Sequence, residues 1–227
     1  LPVGDGLHGH HRDLGASVET TSLRPNSNVA LTSPGTLIFF NSSTHTGLDY
    51  MSMKLYTYEE SGNSYKVRLL MSLLGIECEK IDIDLMQDIQ HQPEFLAINP
   101  RGEVPVLIDG DLTLRDSSAI LVYMANMHGG APWWSGDAAE QGAIMEWLAF
   151  AASWVQYGVF TARAIVSFGI SGNGIPHDYS EDLEPSKIRG QRSLEILNEH
   201  LASRAWLACG RPTIGDIAVF PYVALAP

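Results

Sequence analysis

The sequence predicts an α/β domain followed by an all-helical domain. Two observations support this fold class. From Lys54 to about Met127, short alternating apolar segments take turns with segments of helical periodicity, as in a mixed α/β domain. After Ala131-Pro132, a pair typical of a linker, the strand patterns nearly vanish. We therefore predict a tail at 1–50, an α/β domain at 51–130 and a helical domain at 131–227.

The α/β region begins with a predicted strand-helix-strand unit. Lys54–Tyr58 alternates and is rich in β-forming residues. Ser61 is a good N-cap for a helix that Gly75 ends, and Glu77–Asp84 alternates again as a second strand. Within the helix, the apolar residues recur with helical spacing at Val67, Leu70, Met71 and Leu74.

The rest of this region adds a short helix, two strands and a longer helix. They are predicted at Pro93–Ile98, Val104–Ile108, Leu112–Leu114 and Ser117–Met127. The resulting order, β-α-β-α-β-β-α, is too short and too mixed for a doubly wound nucleotide-binding fold.

The region after the linker is predicted to be helical throughout. Residues 138–167 form one long helical stretch or two broken ones, and 171–185 form a loop. Ser186–Ser203 is amphipathic, and Thr213–Asp216 precedes a final apolar helix at Ile217–Leu225.

The charge and cysteine content exclude several classes of protein. The 227 residues contain 14 Lys and Arg against 26 Asp and Glu, a formal net charge of −12. A protein that coats nucleic acid needs clustered basic residues, so we expect no nucleic-acid partner. No apolar run is long enough to cross a bilayer, so we expect no membrane partner. Cys78 and Cys209 form no CxxC pair, which argues against a disulfide scaffold, favours a reducing compartment, and leaves Cys78 as a buried apolar residue.

Residues 1–50 differ from the rest of the chain. They are rich in Ser and Thr, contain no Lys, Met, Cys or Trp, and show no helical or alternating period. We predict a disordered tail or an extension that is not part of the natural protein, which would then start at Met51 or Met53. A polar loop rarely holds a defined metal site, so we predict solvated histidines and no metal at His8, His10 and His11.

Four stretches of the sequence have a recognisable pattern. They are LYTYEESGNSYKVRLLMSLLGI (55–76), PEFLAINPRGEVPVLIDGDLTLRDSSAILVYMA (93–125), the helical tryptophan-rich segment, and RPTIGDIAVFPYVALA (211–226). Together they resemble the cytosolic glutathione S-transferase superfamily, of the serine- or asparagine-using type, with a Nu or yeast-prion-like character, and the second and fourth are the most specific. The resemblance implies an α/β thioredoxin-like N-terminal domain followed by an all-α C-terminal domain. Family chains continue beyond the last stretch by one or two helices, so we expect the second domain to be truncated.

The resemblance also implies which residues bind glutathione, the co-substrate. The Val104-Pro105 bond is expected to be cis, with the Val104 backbone pairing with the cysteinyl part. Asp116 and Ser117 match the pair that holds the γ-glutamyl end, although either also serves as a plain helix cap. Gln90, with His91, Gln92 and Arg101 as neighbours, lies where relatives place contacts to the glycyl carboxylate.

The thiol of glutathione is expected at the start of the first helix. Ser61 matches the serine of the serine-using classes, and Asn63 matches the asparagine of the Nu and yeast-prion-like classes. A hydroxyl or amide donor beside a helix N-terminus favours the thiolate, which is the nucleophile. The sequence carries both donors, so their roles stay open, and Ser61 as a simple N-cap is the alternative.

The remaining expectations concern the second substrate and the fold. Tyr157, Phe160 and Arg163 are candidates to line a pocket for the electrophile, although an aromatic stripe at helical spacing is more often core. Thr213 and Asp216 match a capping box, and Gly215 departs from the alanine usual in the family.

The implied function is a cytoplasmic, homodimeric glutathione S-transferase that attacks small electrophiles, with a role in detoxification and no metal. Asn63 also suggests a glutathione-dependent disulfide or peroxide reductase. The alternative from another class is a non-catalytic interaction or regulatory protein, since yeast-prion-like relatives show that this scaffold need not catalyse.

Overall fold

A computed structural model describes residues 29–31, 37–39, 53–169 and 180–226 of the chain. Strands β1 (Val29–Leu31) and β2 (Leu37–Phe39) pair antiparallel and belong to a unit separate from the one that holds all other described elements. The sequence analysis did not anticipate these two strands. The other predictions for 1–50, including the interpretation of the three histidines, lie outside the described residues.

The first domain is built on a mixed four-stranded sheet. Its strands are β3 (Lys54–Thr57), β4 (Glu79–Asp82), β5 (Val106–Asp109) and β6 (Leu112–Leu114). They lie in the order β4-β3-β5-β6, in which the first pair is parallel and the other two pairs are antiparallel.

Three helices complete this domain. They are α1 (Gly62–Leu74), α2 (Pro93–Ile98) and α3 (Ser117–Met124), which continues as a π-helical turn to Gly129. Two 3₁₀ turns, Leu85–Gln87 and Ile89–His91, fill a stretch for which no element was predicted. This is the thioredoxin-like order of strands and helices that the sequence analysis expected.

Alternation along the strands separates two hydrophobic clusters. Leu55 of β3 and Leu107 of β5 face the main core, which they share with α1, α3 and the helical domain. Val106, on the opposite face of β5, joins a smaller cluster with Phe95 of α2. One face of the sheet is therefore covered by both domains, and the other by α2 and its flanking turns.

The second domain is all-helical, as predicted. Helix α4 (Ala138–Phe150) passes through a π-helical segment (Ala151–Phe160) into α5 (Thr161–Phe168), which confirms one continuous helical stretch. Helices α6 (Ser180–Leu201) and α7 (Ile214–Ala224) follow. None of the described helices combines the length and apolar character needed to cross a bilayer.

The predicted loop at 171–185 is wrong for its last six residues. Helix α6 already begins at Ser180 and includes Pro185. The first turns of this helix are polar, so the apolar period that marked its start was visible only from Ser186 onward. Pro185 removes one hydrogen bond close to the start of a long helix, and Glu181 and Asp182 suit the positive end of the helix dipole.

The expected capping box at the start of α7 is confirmed. Asp216 accepts a hydrogen bond from the Thr213 N–H at 2.8 Å, and Asp216 also accepts from the Leu207 N–H at 3.0 Å. Packing explains the unusual Gly215, because a Cβ there would lie 3.1 Å from the Cβ of Trp147 on α4. A glycine therefore lets α7 approach α4 closely.

A pair of glycines allows an even closer approach between the π-helical segment and α6. A Cβ on Gly158 would lie 2.6 Å from the backbone nitrogen of Gly190, a distance that real Cβ atoms do not reach. The two backbones are therefore in direct contact at this crossing, which holds the helix that carries Gln156 and Phe160 against its neighbour.

We expect Gly158→Ala to lower the free energy of unfolding by about 1–3 kcal/mol, because the backbone of α6 cannot move aside without repacking. Denaturant unfolding followed by circular dichroism measures the change. Gly142→Ala is the matched control, since a Cβ there meets nothing within 4 Å. In that exposed helical position alanine is expected to stabilise by about 0.5–1 kcal/mol. Equal effects of the two substitutions would contradict the proposed crossing.

Candidate functional site

A cavity of about 590 Å³ opens between the sheet domain and the helical domain. Its sheet-domain wall is formed by the starts of α1 and α3, the 3₁₀ turns and the loop before β5, and its other wall is the long helix of the second domain. The cavity brings together eleven of the thirteen residues that the sequence predicted for the site: Ser61, Asn63, Gln90, His91, Arg101, Val104, Asp116, Ser117, Tyr157, Phe160 and Arg163. Of the other two, Pro105 is buried next to Val104, and Gln92 is exposed outside the cavity lining.

The start of α1 is held in place by its own cap and by the last helix of the chain. The Ser61 hydroxyl accepts a hydrogen bond from the Ser64 N–H at 3.2 Å, so Ser61 is the N-cap that the sequence predicted. The Asn63 N–H donates to the Tyr222 hydroxyl at 3.1 Å. Gly62 permits this approach, since a Cβ there would overlap the Tyr222 ring.

The side-chain amide of Asn63 is oriented by its neighbours. Its Oδ1 accepts from the Lys66 ammonium at 2.8 Å and from the Ser117 hydroxyl at 3.5 Å. Its Nδ2 donates to Gln156 Oε1 at 3.5 Å, on the opposite wall. With the carbonyl engaged and one N–H donating to Gln156, the second N–H of the amide remains for a ligand in the cavity.

Lys66 also lines the cavity, and no pattern in the sequence had singled it out. It is only 2% exposed, and its ammonium lies 5.1 Å from the centre of the Tyr222 ring. Burial lowers the pKa of Lys66 to about 8, although the Asp116 carboxylate opposes the shift. The sequence could have indicated this role, because Lys66 lies directly beside the apolar stripe of α1 and three residues after Asn63.

Tyr222 is the second residue that the sequence analysis missed. It is 1% exposed, and its ring centre lies 4.7 Å from that of Phe160. Burial raises the pKa of Tyr222, so its hydroxyl stays protonated. Tyr222 therefore connects α7, the start of α1 and the helical wall. In the sequence it was one more residue of an apolar helix.

The start of α3 meets the start of α1 across the cavity floor. Asp116 caps α3 by accepting from the N–H groups of Ser118 and Ala119 at 2.8 and 3.1 Å. Ser117 is 8% exposed and reaches Asn63 through its hydroxyl. Asp116 is therefore a helix cap, and its carboxylate also lies at the edge of the cavity.

The third part of this wall is the loop before β5 and the 3₁₀ turn facing it. The Val104-Pro105 bond is cis, as expected. Gln90 Nε2 donates to Asp88 Oδ1 at 3.2 Å, whereas its buried Oε1 has no hydrogen-bond partner among the described residues. Arg101 and His91 also line the cavity. Arg101, which is exposed, therefore offers hydrogen-bond donors of this loop to a polar ligand.

The helical wall combines aromatic rings with one cation. Tyr157 is 48% exposed, and Phe160 packs partly into the main core. The guanidinium of Arg163 lies 5.2 Å from the centre of the Phe168 ring. Phe160 therefore belongs partly to the hydrophobic core, as an aromatic residue at helical spacing often does. Tyr157 is open to the cavity instead.

Cys78 lies outside this cavity. It is half-buried, its sulfur lies 3.7 Å from that of Met71, and burial raises the pKa of its thiol. A raised thiol pKa disfavours the nucleophilic thiolate, so the geometry agrees with an apolar packing role.

Replacing Lys66 tests its burial. The pKa of Lys66 is about 8 in the folded protein and has the ordinary, higher lysine value in the unfolded chain. Between these two pH values Lys66 is deprotonated in the folded protein but still protonated in the unfolded chain. The free energy of unfolding therefore rises with pH in this range. From about pH 7.5 to about pH 9.5, we expect the free energy of unfolding of the wild type to rise by about 1–2 kcal/mol relative to Lys66→Met. Denaturant titrations at a series of pH values measure this, with Lys54→Met as control, since the Lys54 side chain is 44% exposed. If the stability of the wild type depends on pH in the same way as that of Lys66→Met, Lys66 is not buried as described.

Two family profiles match the chain in the same order as the two domains. The glutathione S-transferase N-terminal domain matches residues 51–126, and the glutathione S-transferase C-terminal domain matches residues 183–226. The glutathione S-transferase zeta class protein of Euphorbia esula is 44% identical over 72 residues, which is 32% of this chain and 32% of that protein. The chain thus matches about a third of the length of its zeta-class relatives. The disulfide-bond oxidoreductase YfcG of Escherichia coli is 27% identical over 168 residues, 71% of this chain and 74% of that protein.

Solved structures agree over a larger part of the chain. A possible glutathione S-transferase from Rhodopseudomonas palustris has a TM-score of 0.68 at 30% identity, covering 77% of this chain and 83% of that one. Ure2p in complex with glutathione has a TM-score of 0.67 at 25% identity, covering 79% of this chain and 86% of that one. Since fold, cavity, family profiles and relatives all agree, the chain belongs to the glutathione S-transferase superfamily.

Proposed function

We propose that this protein binds glutathione in the cavity and stabilises its thiolate for attack on a small electrophile. One observation carries the proposal: the starts of α1 and α3 meet at Asn63 and Ser117 in a single cavity. Two helix N-termini at one place favour a ligand with two anionic groups. Thiolate glutathione is such a ligand, with the sulfur near its middle and a carboxylate at its γ-glutamyl end.

The γ-glutamyl and cysteinyl parts of glutathione have matching groups along the cavity floor. The start of α3 suits the γ-glutamyl carboxylate, and Asp116 suits the ammonium beside it. The Val104 backbone, next to the cis bond, offers an N–H and a C=O to the cysteinyl backbone, as an added strand would.

The glycyl end of glutathione would lie against the loop that carries Gln90 and Arg101. The guanidinium of Arg101 suits the carboxylate. The Gln90 amide lies beside this position, with its Nε2 donating to Asp88 Oδ1 at 3.2 Å.

The sulfur would then lie at the start of α1, where two donors are available. The Ser61 oxygen already accepts from Ser64, so its O–H can donate to sulfur. The Asn63 carbonyl is engaged by Lys66 and one amide N–H by Gln156, so the second amide N–H is left to donate. Either bond favours the thiolate over the thiol and lowers the thiol pKa, as does the α1 dipole.

The reaction that follows is a nucleophilic attack by sulfur. The thiol proton leaves to solvent, the thiolate forms a C–S bond to the electrophilic carbon, and the leaving group departs with the electron pair of the bond that breaks. The protein orients the thiolate and keeps it deprotonated. Family membership also supports the expectations of a homodimer, a cytoplasmic location and a role in detoxification.

A second candidate is glutathione-dependent disulfide reduction. The start of α1 carries Ser61 and Ser64 and no cysteine, so the electrons must come from two glutathione molecules. The first thiolate attacks the disulfide and releases one thiolate, and a second glutathione resolves the mixed disulfide to give oxidised glutathione. Asn63 and the similarity to the oxidoreductase YfcG favour this alternative.

The test compares conjugation of 1-chloro-2,4-dinitrobenzene with turnover of hydroxyethyl disulfide, using wild type, Ser61→Ala and Asn63→Ala. Removing the true donor is expected to lower kcat/KM about ten- to a hundredfold, because a hydrogen bond to a charged atom is lost. Ser72→Ala, the same change on the exposed part of α1, is the matched control and should leave both rates unchanged.

Two outcomes would count against the proposal. Wild-type rates in both Ser61→Ala and Asn63→Ala would remove the thiolate-stabilising role from the start of α1. A well-folded wild type that turns over neither substrate but is retained on immobilised glutathione would favour the non-catalytic alternative. Without retention, glutathione binding itself would be wrong.

A further inference from the structure

The helical wall of the cavity carries a single charged side chain among the described residues, Arg163. Apolar or aromatic residues surround it on the same wall, including Phe160 and Phe168. The carboxylates that line the cavity lie on the opposite wall, at Glu60, Asp88, Glu103 and Asp116. Glutathione, as proposed above, would lie along the sheet-domain wall and would not need a positive charge on the helical wall.

Among the described residues, the guanidinium of Arg163 lies beside an aromatic ring and forms no ion pair with a carboxylate. Its carbon lies 5.2 Å from the Phe168 ring centre, so an aromatic ring supports one side of the group. Within the described part of the chain, none of the ion pairs involves Arg163. Its donors therefore remain available to a ligand in the cavity.

Arg163 also lies at a suitable distance from the reaction centre. Tyr222 marks the start of α1, where the sulfur is expected, and the Phe160 ring centre is 4.7 Å from the Tyr222 ring centre. Arg163 follows Phe160 by three residues, about one helical turn and so about 5 Å along the helix. A benzene ring lying on Phe160 would have one end near the sulfur and the other near Arg163.

We infer that the preferred electrophiles of this protein are flat aromatic compounds that carry a carboxylate, which Arg163 binds. The inference rests on the proposed function and adds the substrate class. With 4-chloro-3,5-dinitrobenzoate, for example, the thiolate forms a C–S bond at the carbon that bears chlorine. Chloride leaves with the electron pair of the C–Cl bond, and the thiol proton goes to the buffer.

The test uses two electrophiles of nearly equal shape, 4-chloro-3,5-dinitrobenzoate and 4-chloro-3,5-dinitrobenzamide, with each rate divided by the uncatalysed rate with glutathione. Arg163→Gln is expected to lower kcat/KM for the benzoate about ten- to a hundredfold and that for the benzamide less than about threefold. Arg163→Lys should retain part of the preference, because it keeps the charge without the planar fork.

Arg189→Gln is the matched control. Arg189 also lies over an aromatic ring, with its guanidinium carbon 5.6 Å from the Trp154 ring centre, but it is not part of the cavity lining. This variant should keep the wild-type ratio of benzoate to benzamide rates.

The outcomes separate this inference from the proposed function. Equal losses with both substrates, or no loss with either, would overturn the role of Arg163 while conjugation itself stands. If the wild type conjugates neither compound, the proposed function fails, and the affinities of the two glutathione conjugates, measured by calorimetry, decide the inference. Tighter binding of the carboxylate conjugate that Arg163→Gln abolishes would support it, and equal affinities would overturn it.

Discussion

The buried hydroxyl of Tyr222 accepts a hydrogen bond from the Asn63 N–H, and the geometry of the site depends on this contact. It joins the last helix of the second domain to the first turn of α1. The same ring packs on Gly62, lies beside the Lys66 ammonium and contacts Phe160 of the helical wall. The two walls of the cavity are therefore fixed relative to each other by one aromatic side chain, and Gly62 is required because no side chain fits beneath the ring.

The electrostatics around this contact favour an anion, even though the chain as a whole is acidic. The starts of α1 and α3, the buried Lys66 and the open Arg163 all present positive charge or partial charge toward the cavity. Because Lys66 is buried, its surroundings have a lower dielectric constant than water, which strengthens the attraction between its ammonium and an anion. Four carboxylates also line the cavity, at Glu60, Asp88, Glu103 and Asp116, so the attraction for an anion comes from the two helix starts, Lys66 and Arg163 and not from the overall charge of the cavity.

Much of the fold and part of the site could be predicted from the sequence, and the reason differs from residue to residue. Ser61, Asp116 and the Thr213 capping box are local features, because a cap bonds to atoms a few residues away. Lys66 and Tyr222 acquire their roles through contacts between distant segments, which no periodicity reveals. The start of α6 was missed for a local reason, since its first turns are polar and contain a proline.

The glycines illustrate the same limit. Gly75 ends α1 in the left-handed region, at a φ of 67°, so its role was visible from its position after the apolar stripe. Gly158 and Gly215 are instead required by close contacts with other helices, and in the sequence they are only glycines in helical segments. What a residue does for its own helix can be predicted from the sequence, whereas its contact with a partner helix needs the fold.

Stabilisation of the glutathione thiolate by the start of α1 can be measured by an ultraviolet pH titration. The absorbance of the thiolate, followed in the glutathione complex and corrected for the free protein, gives the pKa of the bound thiol. We expect a pKa clearly below that of free glutathione, with a return toward the free value in Asn63→Ala or Ser61→Ala. If the bound thiol titrates like free glutathione, the start of α1 does not stabilise the thiolate.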